Sequence, residues 1–138
     1  MIRLTIYGPP QGKARARTVK NRYTGKTMSF TPDKTVFYEQ LVRSEFVIGG
    51  NKKMDGELTM KVKAFFSIPK SISHKKAALM DCGVIRPTKK PDADNILKIV
   101  ADALNKVAYD DDSQIVSATV EKYYSNEPRV EVEIKVRE

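Results

Sequence analysis

Two hydrophobic periods interleave along this chain and predict an α+β (mixed α/β) domain, a mixed sheet of four or five strands with helices packed on one face. Three observations carry that prediction. Leu58, Met60, Val62, Ala64, Phe66 and Ile68 alternate strictly with Thr59, Lys61, Lys63, Phe65 and Ser67, the period of a strand with one buried face. Thr31-Pro32-Asp33 supplies a capping hydroxyl, a proline for the first helical position and an acid for the first turn, ahead of the run VFYEQLVRSEF that ends at Gly49-Gly50. The length, 138 residues, is that of one domain, so residues 1–138 are read as a single unit.

Taken in order, Ile2, Leu4 and Ile6 alternate with Arg3, Thr5 and Tyr7 as a strand that Gly8-Pro9-Pro10 stops. If the segment from Gln11 to Arg17 is extended, Lys13, Arg15 and Arg17 fall on one side opposite Ala14 and Ala16. A phosphate-contacting ribbon and a solvated loop are equal readings of it. Asn21 to Lys26 reads as a turn between two short extended pieces ending at Phe30. In the helix that follows, Val36, Phe37, Leu41 and Phe46 are expected to pack on the sheet. Pro69 ends the strict strand, and Ser73 caps a short helix, HKKAALMD, closed by Gly83. Lys75 and Lys76 on it are either DNA contacts or a solvated face. Ile96, Leu97, Val100, Ala103, Leu104 and Val107 give a helical pattern from Asn95 to Val107. Val116, Ala118 and Val120, a turn through Ser125 to Pro128, and Val130, Val132, Ile134 and Val136 read as a C-terminal hairpin.

Lys and Arg number 25 against 17 Asp and Glu, a net charge of +8, which points to a polyanionic partner, nucleic acid ahead of an anionic membrane. A hydrophobic share of 41% with 30% charged residues is that of a soluble globular protein. Cys82 is the single cysteine, which excludes disulfides and multi-cysteine zinc sites and is read as a buried or inert thiol. His74, the single histidine, is expected to be exposed near a helix start, and no nucleophile elbow accompanies it. Without a signal peptide or membrane-length apolar run, the expected location is the cytoplasm. No Gly-rich segment precedes a Lys-Ser or Lys-Thr pair, so no nucleotide cofactor is expected.

The chemistry concentrates in KKPDADNILKIVADALNKVAYDDDSQ, Lys89 to Gln114. Asp92, Asp94, Asp102, Asp110, Asp111 and Asp112, six of the seventeen acidic residues, lie there within twenty-one positions. Asp94 falls near the N-cap of the predicted helix, and Asp92 in the extended approach can converge with it in front of the helix dipole. An N-cap Asp is common and stabilises a helix by ~1 kcal/mol, but capping accounts for neither Asp92 nor the distant Asp triplet. Carboxylates without His or Cys favour Mg²⁺ or Mn²⁺ over zinc, and such a site suits phosphodiester hydrolysis. Lys98, four residues beyond Asp94, could reach a scissile phosphate or simply form an i,i+4 pair with Asp94. A Ca²⁺ loop counted from Asp110 fails, because Ile115 stands where an EF-hand requires Gly.

Lys90-Pro91-Asp92-Ala93-Asp94-Asn95-Ile96-Leu97-Lys98, Asp102-Ala103-Leu104 and Asp111-Asp112-Ser113-Gln114-Ile115 together resemble the RusA-type Holliday junction resolvases, endonucleases found in phages and prophages. Gly8-Pro9, Lys13 and Arg15-Ala16-Arg17 resemble that family's basic N-terminal segment. The resemblance implies that Asp92, Asp94 and Asp112 bind the metal and that Lys98 is the catalytic lysine. It further implies a homodimer that cuts opposed strands of a four-way junction with Mg²⁺ or Mn²⁺, acting in recombination and repair. Lys13, Arg15, Arg17, Lys75, Lys76, Lys89 and Lys90 are the candidate DNA contacts. The chain departs from the pattern at Lys106, where many relatives carry Gly, and at Asp110. Three consecutive acids leave Asp111 or Asp112 as the third ligand, and counting back from Gln114 favours Asp112. A flap- or fork-specific nuclease and a non-catalytic basic DNA-binding protein are the alternative readings.

Overall fold

The computed structural model describes residues 1–14, 17–30 and 32–138, and for Arg17 and Phe30 the backbone alone. Its elements are β1 (Ile2–Tyr7), β2 (Arg17–Lys20), β3 (Thr27–Phe30), α1 (Asp33–Ile48), β4 (Leu58–Ser67), α2 (His74–Asp81), α3 (Ala93–Leu104), β5 (Ile115–Ser125) and β6 (Arg129–Val136). They form the predicted single α+β unit, with a four-stranded mixed sheet in the order β1-β6-β4-β5 and a separate β2-β3 hairpin. The Asn21 side-chain amide oxygen closes that hairpin, accepting from the backbone N–H groups of Tyr23 and Thr24.

The expected C-terminal hairpin is not formed. β5 and β6 are separated by β4, which pairs parallel with β5 and antiparallel with β6. Side-chain burial decides the order. Val130, Val132 and Ile134 are buried, and β6 takes a central place between β1 and β4, while β5, carrying Glu121 and Lys122, takes the edge. The parallel β4–β5 pair needs a crossover, which α2 and α3 supply. Returning from the C-terminal end of β4 to the N-terminal end of β5, α3 runs antiparallel to both.

The core lies between the sheet face bearing Met60, Val62, Ala64 and Phe66 and a layer made by α1 and α3. The phase of α1 agrees with the expected one at Phe46, which is buried, and at Leu41, which packs half-buried against the core, and departs from it at Val36 and Phe37. Thr35, Tyr38, Glu39, Val42 and Phe46 face inward, whereas Phe37 is 71% exposed and Val36 also reaches solvent. Counting apolar residues misplaces this face because Glu39 lies inside, paired with the Lys13 ammonium at 3.1 Å. The Thr31 cap predicted for α1, like Arg15, lies outside the described residues.

The short helix is as predicted, with the Ser73 hydroxyl accepting from the Lys76 N–H and His74 exposed. Cys82 after it is exposed rather than buried, because it sits at the solvent-facing end of this helix. α2 packs against β5, and the segment beyond it lays the Arg86 guanidinium 4.2 Å from the Tyr123 ring, on the sheet face opposite the core. Tyr123 stacks on Phe65 at 5.4 Å, and Arg129 covers Phe65 at 3.9 Å. The Lys89 carbonyl then accepts from Lys122 Nζ at 2.6 Å, on the core-side face. The segment thus passes from one face of β5 to the other and delivers Lys90-Pro91-Asp92 to the start of α3. No helix of the described residues is long and apolar enough to cross a membrane.

Candidate active site

α3 starts two residues earlier than its apolar pattern predicts. Asp92 is the N-cap and Asp94 lies in the first turn. The Asp92 backbone is extended, as a cap requires, yet its side chain makes no capping hydrogen bond. Asp94 and Lys98 are exposed on one helix face, and among the described residues they form no ion pair, so the ordinary i,i+4 pair is not what holds Lys98. The N-terminal segment lies directly on this helix end. The Lys13 N–H donates to the Asn95 carbonyl at 3.1 Å, and a Cβ at Gly12 would come within 2.9 Å of Pro91 Cβ. An open depression beside Asp92 is lined by Gln11, Lys34, Lys90 and Asn95. Lys34 and Gln11 carry no sequence signal of their own, because only the fold brings the start of α1 and the Pro9-Pro10 loop to α3.

The other end of α3 is densely bonded. The Gln114 amide oxygen accepts from the Asp110 and Asp111 N–H groups at 2.8 and 3.1 Å, and its nitrogen donates to the Met54 and Gly56 carbonyls. Asp111 caps the short 3-10 turn Asp112–Gln114 by accepting from the Ser113 N–H, and hydrogen bonding to Ser113, from its side chain first and then its backbone, holds the carboxyl below the usual carboxylate range. Asp110 pairs with Lys53 at 3.0 Å. Asp102 pairs with Lys13 at 3.3 Å. The Asp112 backbone N–H donates to the Asn105 side chain at 3.1 Å, while its carboxylate is left without a partner among the described residues. Tyr109 fills the centre, its hydroxyl donating to the Ala101 carbonyl at 2.7 Å. Burial raises the pKa of that hydroxyl, and the negative charges of Asp112, Asp102 and Asp111 raise it further.

The sequence profile described as "Endodeoxyribonuclease RusA" matches residues 7–135, nearly the whole chain. The chain belongs to the RusA family. It is also 42% identical to an uncharacterised protein, YqaN, of Bacillus subtilis (strain 168), over 97% of this chain and 95% of that one. The RusA departure at Lys106 has a structural counterpart: its φ is +69°, the left-handed region in which glycine is unstrained.

Geometry sorts the six acids of the Lys89–Gln114 stretch into two sets. Asp102, Asp110 and Asp111 are committed to an ion pair, an ion pair and a cap. Asp92, Asp94 and Asp112 make no side-chain hydrogen bond or ion pair among the described residues. The two groups of uncommitted acids do not meet, however. Eleven residues of α3 separate Asp94 from Asn105, the residue that holds Asp112, a distance of about 16 Å along the axis. No three carboxylate, His or Cys side chains among the described residues stand close enough to hold one metal.

Of the candidate DNA contacts, Lys75 and Lys76 are exposed in the first turn of α2, and Lys90 lines the depression by Asp92. Lys89 is exposed, with its ammonium 5.9 Å from the Phe66 and Tyr124 rings. Lys13 turns inward to Glu39 and Asp102, a role that neither a phosphate ribbon nor a solvated loop describes. The Arg15 and Arg17 side chains lie outside the described residues.

Proposed function

We propose that this RusA-family protein is a homodimeric, Mg²⁺- or Mn²⁺-dependent endonuclease that resolves four-way DNA junctions by paired symmetrical nicks, in recombination and repair. One observation carries the reading. In a stretch where other acids are spent on caps and ion pairs, the three that match the RusA metal-binding positions are left without a protein partner among the described residues.

Asp92 and Asp94 offer hard oxygen donors with no nitrogen or sulfur ligand nearby, which fits Mg²⁺ or Mn²⁺ and does not fit zinc. Asp112 has the same chemistry but is too far along α3 to join them within one chain. A divalent cation bound at these carboxylates supplies water activation and neutralises charge at the phosphate. Lys98, exposed one turn beyond Asp94, donates to a non-bridging phosphate oxygen and stabilises the charge that develops as the bond to the leaving 3′ oxygen breaks. Lys90, Lys34 and the side-chain amides of Gln11 and Asn95 bind the strand beside the scissile phosphate. The net charge of +8 draws the junction to the surface.

A synthetic four-way junction incubated with and without Mg²⁺, with cuts mapped on all four strands, tests the reading against a flap and a plain duplex. Paired symmetrical nicks that require the metal are expected. Asp94→Asn is expected to keep junction affinity while cleavage falls by about three powers of ten. Full activity of that variant, or faster cutting of the flap than of the junction, overturns the assignment.

A further inference from the structure

Lys13 counts among the candidate DNA contacts by its place in a basic segment, yet its ammonium points into the protein. It lies 3.1 Å from Glu39 on α1 and 3.3 Å from Asp102 on α3, and the Lys13, Glu39 and Asp102 side chains are 22%, 11% and 30% exposed. Two carboxylates around one ammonium leave the cluster net negative, which repels a phosphate. No other cation pairs with Glu39 or Asp102 among the described residues, so a Lys13 that swung out to DNA would abandon a nearly buried carboxylate.

The same residue also grips the helix that carries the candidate site. Its backbone N–H donates to the Asn95 carbonyl at 3.1 Å, in the first turn of α3. Asn95 and Asp102 are seven residues apart on one helix face, so Lys13 holds α3 at two points about 10 Å apart along its axis. From α1, Glu39 accepts from the Lys13 ammonium through both carboxylate oxygens, at 3.2 and 3.1 Å. Lys13 thus fastens the N-terminal segment to both helices of the layer.

What is fastened there lies against the approach to Asp92. Gly12 sits so close that a Cβ on it would come within 2.9 Å of Pro91 Cβ and 3.1 Å of Asn95 Cβ. Pro91 immediately precedes Asp92, whose side chain makes no capping hydrogen bond, so α3 itself does not fix that carboxylate. Earlier in the approach, Lys122 donates to the Lys89 carbonyl at 2.6 Å. We propose that Lys13 is a positioning residue rather than a phosphate contact: it clamps Gly12 onto Pro91 and so sets where the Asp92 carboxylate stands in front of α3. The consequence for catalysis rests on the function proposed above, whereas the clamp does not.

Lys13→Met releases the clamp, and Gly12→Ala keeps the lysine while forcing apart the contact it holds. Where Lys13→Met does not fold, its combination with Glu39→Gln, which removes the abandoned charge, takes its place. Amide hydrogen exchange followed by NMR tests the clamp without DNA or metal. The Lys13 and Ile96 amides, which donate to Asn95 and Asp92, should exchange faster in Lys13→Met while those of β4 keep their protection. Unchanged exchange at both overturns the clamp. Junction binding over a range of salt, without Mg²⁺, separates a clamp from a phosphate contact. The slope of log affinity against log salt should equal that of the wild type, and a slope smaller by about 1 overturns the proposal. With Mg²⁺, single-turnover cleavage by both variants should fall by about two powers of ten at saturating junction, with the half-saturating junction concentration unchanged. Gly12→Ala cutting at the wild-type rate overturns the route through Pro91 to Asp92. A wild type that neither binds nor cuts the junction sinks the function, and the exchange result then decides the clamp by itself.

Discussion

The two ends of α3 carry the same residue type and treat it in opposite ways. At the N-terminal end Asp92 occupies a capping position without capping, and Asp94 and Lys98 stand on one exposed face without an ion pair among the described residues. At the C-terminal end Asp110 and Asp111 are absorbed by Lys53, Ser113 and Gln114, and Asp102 by Lys13. A carboxylate bonded by its own protein is part of the scaffold. One that is exposed, fixed on a rigid helix and left unbonded is available to a metal or a phosphate-bound water. Asp112 combines the two, since its backbone belongs to the scaffold through Asn105 and its carboxylate does not. That combination also separates it from Asp111, whose oxygen is occupied as a cap.

Breaking the bonded end should have the largest effect on stability. Gln114→Ala removes four hydrogen bonds, two that close the turn on Asp110 and Asp111 and two that tie it to the Met54–Gly56 segment, and urea denaturation should show a loss of about 2 kcal/mol. An unchanged midpoint would mean that the turn is held by something other than this amide. A smaller effect of opposite sign is expected at Lys106, where the left-handed backbone strains a residue with a Cβ. Lys106→Gly should raise stability by about 1 kcal/mol, read as a higher melting temperature.

The smallest effect is one of pH. Because the Ser113 hydrogen bond lowers the Asp111 pKa in the folded state, its contribution is fully present above the ordinary carboxylate value and is lost as pH falls through the lowered one. Urea midpoints measured from about pH 5 down to about pH 2 should therefore fall less steeply in Asp111→Asn than in the wild type. Identical slopes would show that this cap does not discriminate between the two protonation states.

Much of the architecture is legible in the residues. The alternation at Leu58–Ser67, the Ser73 cap and the apolar pattern of α3 each mark a local element whose hydrogen bonds close within a few residues or across one face. The misread positions share a cause. β5 and β6 look like a hairpin because they are adjacent in sequence, but the buried Val130, Val132 and Ile134 place β6 between β1 and β4, which sets β4 between β5 and β6. The apolar count in α1 places Phe46 and Leu41 rightly but misplaces Val36 and Phe37, because a buried Glu39 is admitted by a lysine twenty-six residues away. The candidate site divides similarly. Asp92, Asp94, Lys98 and Asp112 are named by the resemblance of the motifs, whereas Lys34 and Gln11 beside Asp92 are not, since no periodicity relates the start of α1 and the Pro9-Pro10 loop to α3.

The stretch from Lys89 to Gln114 thus determined by itself which residue types are gathered, their order, and the helix on which most of them stand, because helix geometry is fixed by neighbours three and four residues away. Tertiary structure alone decided which carboxylates remain unbonded and that the length of α3 holds Asp112 apart from Asp92 and Asp94. Those outcomes depend on partners such as Lys13 and Lys53, contributed by distant parts of the chain, and on the crossover that sets α3 antiparallel to β5.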